Sequence, residues 1–488
     1  MGNRIIFIIV AVVFVNNVIV AGEPPDTLWT RTFGGTNIDI AHSVRELSDG
    51  SFILTGYTRS FGTQSGRRIW LIKTSSTGDT IWNNTFGGSN DDEGYDVMQT
   101  NDGGYVIAGY TKSFGNGGKD VYLVKTDSVG IMQWSRTYGG QQDDEGYSFV
   151  QTSDNGFLIV GATSSYGAGG RDAYLIKTDS MGLVIWTKTI GGLSSDGAWS
   201  VENTTDGGFV FCGWTFSYGP GSLGNAWLVK IDSAGNLQWQ NSFGGSEADR
   251  AQDLFQTSDG GYVLTGYTES FGAGLYDMLL IKTDSNGNQQ WLKTFGGSGR
   301  DYGQSIRETF DGGFIVAGYT LSIGAGGEDF WLVKTDLNGN LVWEKTLGGI
   351  YSDVAYSVFQ TIDGGYVLTG HTLSFGAGLH DVWLIKVKPD ELKVITGITF
   401  TESFQLMQNY PNPFNPSTTI SFNLSKASPV KLLVFDISGR LIKVLINGTL
   451  SGGFHNVEFN GTDLPSGAYF FRLESNKLTE TRTMVLTK

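Results

Sequence analysis

At 488 residues, with 40% hydrophobic and 13% aromatic residues, the chain can fill a large core and is too long for one ordinary domain unless it is a repeat array. A formal net charge of −15 works against binding nucleic acid or anionic membranes, both of which need a basic surface. The single cysteine, Cys212, excludes an intrachain disulfide framework and any multi-cysteine metal site, and the 71 glycines follow no Gly-X-Y period.

The chain opens with Arg4, the apolar run Ile5 to Val15 and a small-residue site at Val20-Ala21-Gly22. The run is too short to span a bilayer comfortably and has the flanks of a signal peptide, expected over residues 1–22. Cleavage after Ala21 or Gly22 leaves an exported protein with no transmembrane segment.

Tryptophan then recurs at Trp29, Trp82, Trp134, Trp186, Trp239, Trp291 and Trp343, at intervals of 52 or 53 residues. A fixed period of that size means a propeller, a solenoid or a bead array, and the content of one unit decides. From Gln252 to Gly297 the unit holds short alternating runs joined by Asp-Gly-Gly and Asn-Gly turns, which supply positive φ at no steric cost. No helical period occurs, so each unit is four antiparallel strands, A to D, and the units are propeller blades.

Turns of the Asp-Gly-Gly type at Asp49, Asp102, Asp154, Asp206, Asp259, Asp311 and Asp363 mark seven A–B hairpins. The C strands end in Lys73, Lys125, Lys177, Lys230, Lys282, Lys334 and Lys386. No Trp-containing strand follows the last of these, while the strand at Trp29 has no blade of its own. Pairing the two closes a seven-bladed ring over residues 23–388 and leaves no open end to cap.

The repeated tryptophans are expected to pack between neighbouring blades. Full burial of a Trp removes roughly 200 Å² from water, worth on the order of 4–5 kcal/mol as an upper bound. Trp70, Trp227, Trp331 and Trp383 add a second layer from the C strands. The segments Asp232–Trp239 (DSAGNLQW) and Asp336–Trp343 (DLNGNLVW) are similar to the repeat of tryptophan-docking, quinoprotein-like propellers. That resemblance implies the fold. A quinone site in those proteins commonly uses vicinal cysteines, which this chain lacks.

Strand connectivity places the short A–B and C–D turns on one face and the longer, glycine-rich D–A and B–C loops on the other. Function is expected on the long-loop face or at the mouth of the central channel. Each D–A loop carries an aspartate four residues after its glycine pair: Asp39, Asp92, Asp144, Asp196, Asp249, Asp301 and Asp353. Each B–C loop ends in a second polar residue: Asp120, Asp172, Asn225, Asp277, Asp329 and Asp381, with Arg68 in blade 1. Paired carboxylates suit Ca²⁺; sevenfold repetition instead suits loop bracing, because catalysis needs asymmetry.

The richest departures from symmetry are Asp91-Asp92-Glu93 and Asp143-Asp144-Glu145 on adjacent blades, which form either a binding or acid–base site or a solvated rim. The loop aromatics Phe61, Phe114, Tyr166, Tyr218, Phe271 and Phe375 either stack on sugars or plug the blades. Ring closure makes neighbours of His42 in blade 1 and His371 and His380 in blade 7, without metal spacing. No GxSxG elbow, Walker A loop or dinucleotide fingerprint occurs, and no metal or cofactor is expected.

Past Lys388 the repeat stops. Residues 389–403 read as a linker, and 404–488 as a small Ig-like β-sandwich of alternating runs separated by Gly, Pro and Asn turns. Tyr410-Pro411-Asn412-Pro413, the turn Asp436 to Arg440 around Gly439, and the hairpin Leu464 to Tyr469 around Gly467 resemble the type A C-terminal sorting domain of the type IX secretion system of Bacteroidetes. The resemblance implies export to the periplasm, then handling by that machinery through the outer membrane to the surface or beyond. The leading expectation is a non-catalytic binding or scaffold protein for a glycan or protein ligand. A carbohydrate-active hydrolase and a quinone-binding redox propeller are the alternatives.

Overall fold

The computed structural model describes residues 23–390 and 405–487, apart from 63–65, 410–411, 413, 425, 452 and 476–477. The expected signal peptide, most of the linker, and Tyr410, Pro411 and Pro413 lie outside the described residues. Every regular element among the described residues is a β-strand.

Seven consecutive four-stranded sheets form the repeat region. Blade 1 consists of strands A (Asp39–Glu46), B (Phe52–Thr58), C (Arg68–Thr74) and D (Thr80–Phe86), paired in that order. The B and C strands are buried almost throughout because neighbouring blades cover both faces, whereas the D strands alternate toward solvent. In blade 7, strands A (Asp353–Gln360), B (Tyr366–Thr372) and C (Asp381–Val387) are completed by Thr27–Phe33. The closing pair is antiparallel, with Trp29 opposite Lys386 and Phe33 opposite Val382. The ring therefore closes as the sequence predicts.

The closure is fastened at both ends of that strand. Lys388 N–H donates to Asp26 O at 2.9 Å, and its ammonium lies 2.9 Å from the Asp26 carboxylate. Between the first and last blades, Val44 N–H donates to Ser357 Oγ (3.3 Å) and Ile362 N–H to Glu46 Oε2 (2.7 Å). Elsewhere in the inner ring Asp96 and Asp253 bridge A strands, accepting from Ser43 (3.1 Å) and Ser200 (2.7 Å).

The core is distributed between blades. One layer joins Ile53, Ile69 and Leu71 of blade 1 to Val97, Tyr105 and Ile107 of blade 2; the seam layer joins Trp70 and Leu54 to Val367 and Leu384. On the turn face, each C-strand lysine pairs with the A–B aspartate of its own blade, from Lys73–Asp49 to Lys386–Asp363. Burial raises the Asp102 pKa, but donors from Thr100, Lys125 and Gly104 outweigh it and draw the group down to about 2.

The repeated tryptophans do sit between blades, but most are half-buried rather than fully buried as expected. The D strand is the outermost of each blade, so one ring face meets solvent. The other face docks on the C–D turn of the next blade, where glycine is required. A Cβ on Gly78, Gly130, Gly182, Gly235, Gly287 or Gly339 would meet the ring at 2.5–2.8 Å, and all six have φ between 73° and 80°. The upper-bound energy per ring therefore roughly halves. Trp343 is the exception at 3% exposed. Blade 7 has no C–D turn, and Asp390 covers that position, accepting from Trp343 Nε1 (2.8 Å) and Tyr366 OH (2.6 Å). Trp70, Trp227, Trp331 and Trp383 are buried as predicted.

The C-terminal domain packs a three-stranded sheet (Gln405–Leu406, Ser417–Leu424, Gly453–Asn460) against a four-stranded one built from Ser428–Asp436, Leu441–Leu450, Gly467–Ser475 and Leu478–Leu486. Ile420, Phe422, Val434, Phe471 and Met484 form the shared core. Asn412 Oδ1 accepts from Val485 N–H at 2.7 Å, tying the start of the domain to its last strand. Gly439 takes φ 80° in the Asp436 turn.

Candidate binding face at the channel mouth

The structure divides the two acidic triplets into three roles. Asp92 and Asp144 are fully buried. Asp92 accepts from Gly88 N–H (2.8 Å), Ser113 Oγ (2.7 Å) and the Thr111 hydroxyl; Asp144 accepts from Gly140 N–H (2.7 Å), Ser165 Oγ (2.7 Å) and the Thr163 hydroxyl. The same set recurs at Asp249 and Asp301. This aspartate splices the D–A loop to the end of strand B in its blade. The B–C residues act alike: Asp120 accepts from Asn116 N–H and Asp172 from Ala168 N–H, both at 2.9 Å. Arg68 replaces a carboxylate by donating to Gly87 O and Gly88 O at 3.1 Å.

Asp91 and Asp143 stay on the rim. Each accepts from the backbone one blade back, Asp91 from Arg67 N–H and Asp143 from Lys119 N–H, at 2.9 Å. Both border one depression of about 570 Å³, with Asn90 and Lys112. Glu93 and Glu145 turn inward and are buried. Glu93 pairs with Arg67 and accepts from Tyr110 OH (2.6 Å) and Tyr95 OH (3.2 Å). Glu145 pairs with Lys119 and Arg171 and accepts from Tyr147 OH at 2.7 Å. Burial raises the Glu145 pKa, but Arg171, Lys119 and Tyr147 bring it below the usual range, so it stays ionised.

A feature that the sequence reading missed governs the channel mouth. Every A strand carries a β-bulge at its fourth position, between residues such as Ala41 and Ser43 or Gly94 and Asp96. The bulged residues are His42, Tyr95, Tyr147, Trp199, Gln252, Gln304 and Tyr356. A bulge re-aims one side chain out of the sheet pattern. Going round the ring from blade 7 to blade 4, Tyr356, His42, Tyr95, Tyr147 and Trp199 touch in sequence, with ring centroids 5.0, 4.8, 5.2 and 4.1 Å apart. The sequence carried only a weak signal for it, a variable fourth column rich in aromatics, since the column after the repeated aspartate varies as much.

Three of the four histidines gather at the seam. His371 and His380 have ring centroids 4.5 Å apart, and Tyr356 lies 5.0 Å from His42 and 5.7 Å from His371. Burial pushes His42 down to about 4 and His371 to about 3, so both are neutral at pH 7. Blades 5 and 6 carry a second cluster, Tyr267, Tyr276, Tyr302 and Tyr319, with centroid spacings of 4.6–5.4 Å. Several B–C loop aromatics pack at a tilt on the C-strand aromatic of their own blade, as in Phe61–Trp70 (5.2 Å) and Phe375–Trp383 (5.1 Å), while keeping an exposed edge; Phe271 has no such partner, because its C strand carries no aromatic.

The repeat region is thus a seven-bladed β-propeller with an aromatic channel mouth on its long-loop face. Residues 408–487 match the secretion system C-terminal sorting domain, so the chain carries an export module of the type IX route to the cell surface or the outside. A regulatory protein, FlaEY, of Caulobacter vibrioides is 26% identical over 239 residues, 43% of this chain; the chain spans about a quarter of that relative's length (24%). Among solved structures, PorZ, a surface component of the type IX secretion system of Porphyromonas gingivalis, is 12% identical at TM-score 0.40, covering 93% of this chain and 60% of PorZ. A fungal alcohol oxidase of the AA5 family, in complex with copper, is 12% identical at TM-score 0.47, covering 96% and 100%. At these scores neither likeness extends to function. No helix among the described residues is long and apolar enough to cross a membrane.

Proposed function

We propose that the protein is a non-catalytic binding or scaffold protein, held at the cell surface or released, that engages its ligand through the long-loop face. The observation that carries this reading is the internal commitment of its acidic groups. Asp92 and Asp144 are buried loop braces, and Glu93 and Glu145 are locked between cations and phenols. A general acid or base needs a carboxyl group within reach of substrate and free to exchange its proton. The loop aromatics keep exposed edges on the same face, beside polar and charged side chains, a mixture that suits recognition. Asp91 and Asp143 flank that face and contribute to the same ligand surface.

A glycan array combined with a polysaccharide hydrolysis screen on the purified protein tests the reading. Binding without turnover is the expected result. Turnover abolished by Glu93→Gln or Glu145→Gln, with the fold intact, overturns it in favour of a hydrolase. A visible absorbance from a co-purifying cofactor overturns it in favour of a redox protein. The reading includes no cofactor and no metal. EDTA should leave Tm unchanged, and a Ca²⁺-dependent rise in Tm would assign Asp91 and Asp143 to an ion instead.

A further inference from the structure

Sevenfold symmetry makes departures from the repeat informative. The bulge column of the A strands is filled by rings on blades 7 and 1 to 4, but by Gln252 and Gln304 on blades 5 and 6. The channel mouth is therefore least filled beside those two glutamines. The four-tyrosine cluster stands there. Tyr267 and Tyr319 come from B strands, Tyr302 from the A strand of blade 6, and Tyr276 from the loop before the C strand of blade 5. All four are half-buried, each keeping part of its ring in contact with solvent.

Polar groups surround the rings. The Arg300 guanidinium lies over Tyr276, 5.4 Å from its centroid, and Asp301 N–H donates to Tyr276 O at 2.8 Å. Interaction of the Tyr276 hydroxyl with the nearby Glu269 carboxylate raises the tyrosine pKa. Arg250 lies over Phe216 at 4.6 Å. Leu275 and Leu321 flank the cluster and are exposed.

We infer that this cluster binds a neutral oligosaccharide; the inference rests on the reading of the long-loop face as a binding face. A pyranose ring presents an apolar C–H face, which a phenol ring covers, and an edge of hydroxyls, which planar guanidinium, carboxylate and amide groups bind. The site supplies both. Tyr267, Tyr276 and Tyr302 lie 4.9–5.4 Å from one another, and Tyr319 stacks on Tyr302 at 4.6 Å, so the rings form one compact aromatic platform on which a sugar unit packs. Arg250 and Arg300 are balanced by Glu269 and Glu328, which leaves no strong single-sign field to select a polyanion. A protein partner needs a broad surface of roughly 800 Å² per side, far more than four rings present.

The test is calorimetric titration of the full protein with cellohexaose, maltohexaose, laminarihexaose and, as a charged comparison, hexagalacturonate. At least one neutral hexasaccharide should bind, and Tyr276→Ala or Tyr302→Ala should weaken it roughly tenfold. Tyr276→Phe isolates the hydroxyl and should cost less. Asn286→Ala on the turn face should change nothing. Because Tyr276 lies in a loop, its variant keeps the test valid if Tyr302→Ala misfolds. Unchanged affinity in Tyr276→Ala overturns the assignment of the site. Tighter binding of hexagalacturonate overturns the ligand class. No oligosaccharide binding overturns the proposal and leaves the face to a protein ligand; failure of the non-catalytic reading would instead appear as turnover.

Discussion

The docking of each tryptophan on the next blade makes a specific prediction at Gly130. Its φ of 80° lies in the left-handed region, where an alanine costs about 1 kcal/mol. A Cβ there would also meet the Trp82 ring at 2.6 and 2.8 Å and Asn84 Nδ2 at 2.6 Å. Asn84 can rotate away, but the ring must leave its seat. A half-buried tryptophan that undocks exposes on the order of 100 Å², or about 2.5 kcal/mol. Gly130→Ala should therefore destabilise the propeller by about 3–4 kcal/mol. In a Trp82→Ala background only the backbone cost of about 1 kcal/mol remains, so the two changes should be coupled by about 2.5 kcal/mol. All 13 tryptophans lie in the repeat region, so tryptophan fluorescence during denaturant unfolding reports the propeller without the C-terminal domain. Equal cost of Gly130→Ala with and without Trp82 would refute the docking argument.

Further predictions use the same readout. Asp92→Ala removes the acceptor of three donors, one buried and two partly buried, and should cost about 3 kcal/mol, whereas Asp91→Ala on the rim should cost less than about 1 kcal/mol; comparable losses would contradict the division of the triplets. A chain ending at residue 387 loses Lys388 and Asp390 and should melt below one ending at 390, because Trp343 and Tyr366 lose their acceptor; identical Tm values would count against the fastening. Deleting residues 404–488 should trap the protein in the periplasm, and normal export of that truncation would defeat the sorting assignment. The seam histidines predict a pH dependence. Their pKa values are depressed from 6.5 to about 4 and about 3 by burial, with Glu93 opposing at His42 and His380 adding to the effect at His371. Below pH 6.5 the unfolded chain takes up protons that the folded one does not. Stability should fall with acidification by about 1.4 kcal/mol per pH unit for each imidazole, down to about pH 4. His371→Phe should flatten that slope, and an unaltered slope would exclude the seam as its source.

The ring, its blade count and the displaced strand were legible because they follow from spacing alone. Seven turns, seven lysines and a tryptophan without a blade leave one way to close. The bracing role of Asp92 was legible as one of two readings, since the same aspartate recurs at Asp249 and Asp301. What escaped was side-chain direction. Nothing in DEGYDVMQ announces that Tyr95 sits on a bulge, because a bulge inserts no unusual residue and leaves the alternation nearly intact. Without it the inward aromatics cannot be assembled, and Glu93 cannot be told from Asp91. The half-burial of the tryptophans escaped for a related reason: the strand that carries them was identified, but its outermost position exposes one face of each ring.

Scaffold and site occupy different columns of the same repeat, and that separation explains how a near-symmetric ring presents an asymmetric face. The first A-strand position is always an aspartate bound into its own loop, and the fifth is always serine or aspartate, several of them tied to the next blade. Between them, the bulged fourth residue takes no part in the ladder. It can change identity without disturbing backbone pairing, so His42, Tyr95, Trp199 and Gln252 are all tolerated. The same logic fixes where the export module can be removed. Among the described residues, the last that fasten the ring are Lys388 and Asp390, bound to Asp26, Trp343 and Tyr366. A cut beyond Asp390 removes none of these bonds, whereas a cut before Lys388 removes the fastening of the first strand. Cleavage past residue 390 therefore leaves the closed ring with all of these bonds, whereas cleavage at 387 keeps only the closing strand ladder.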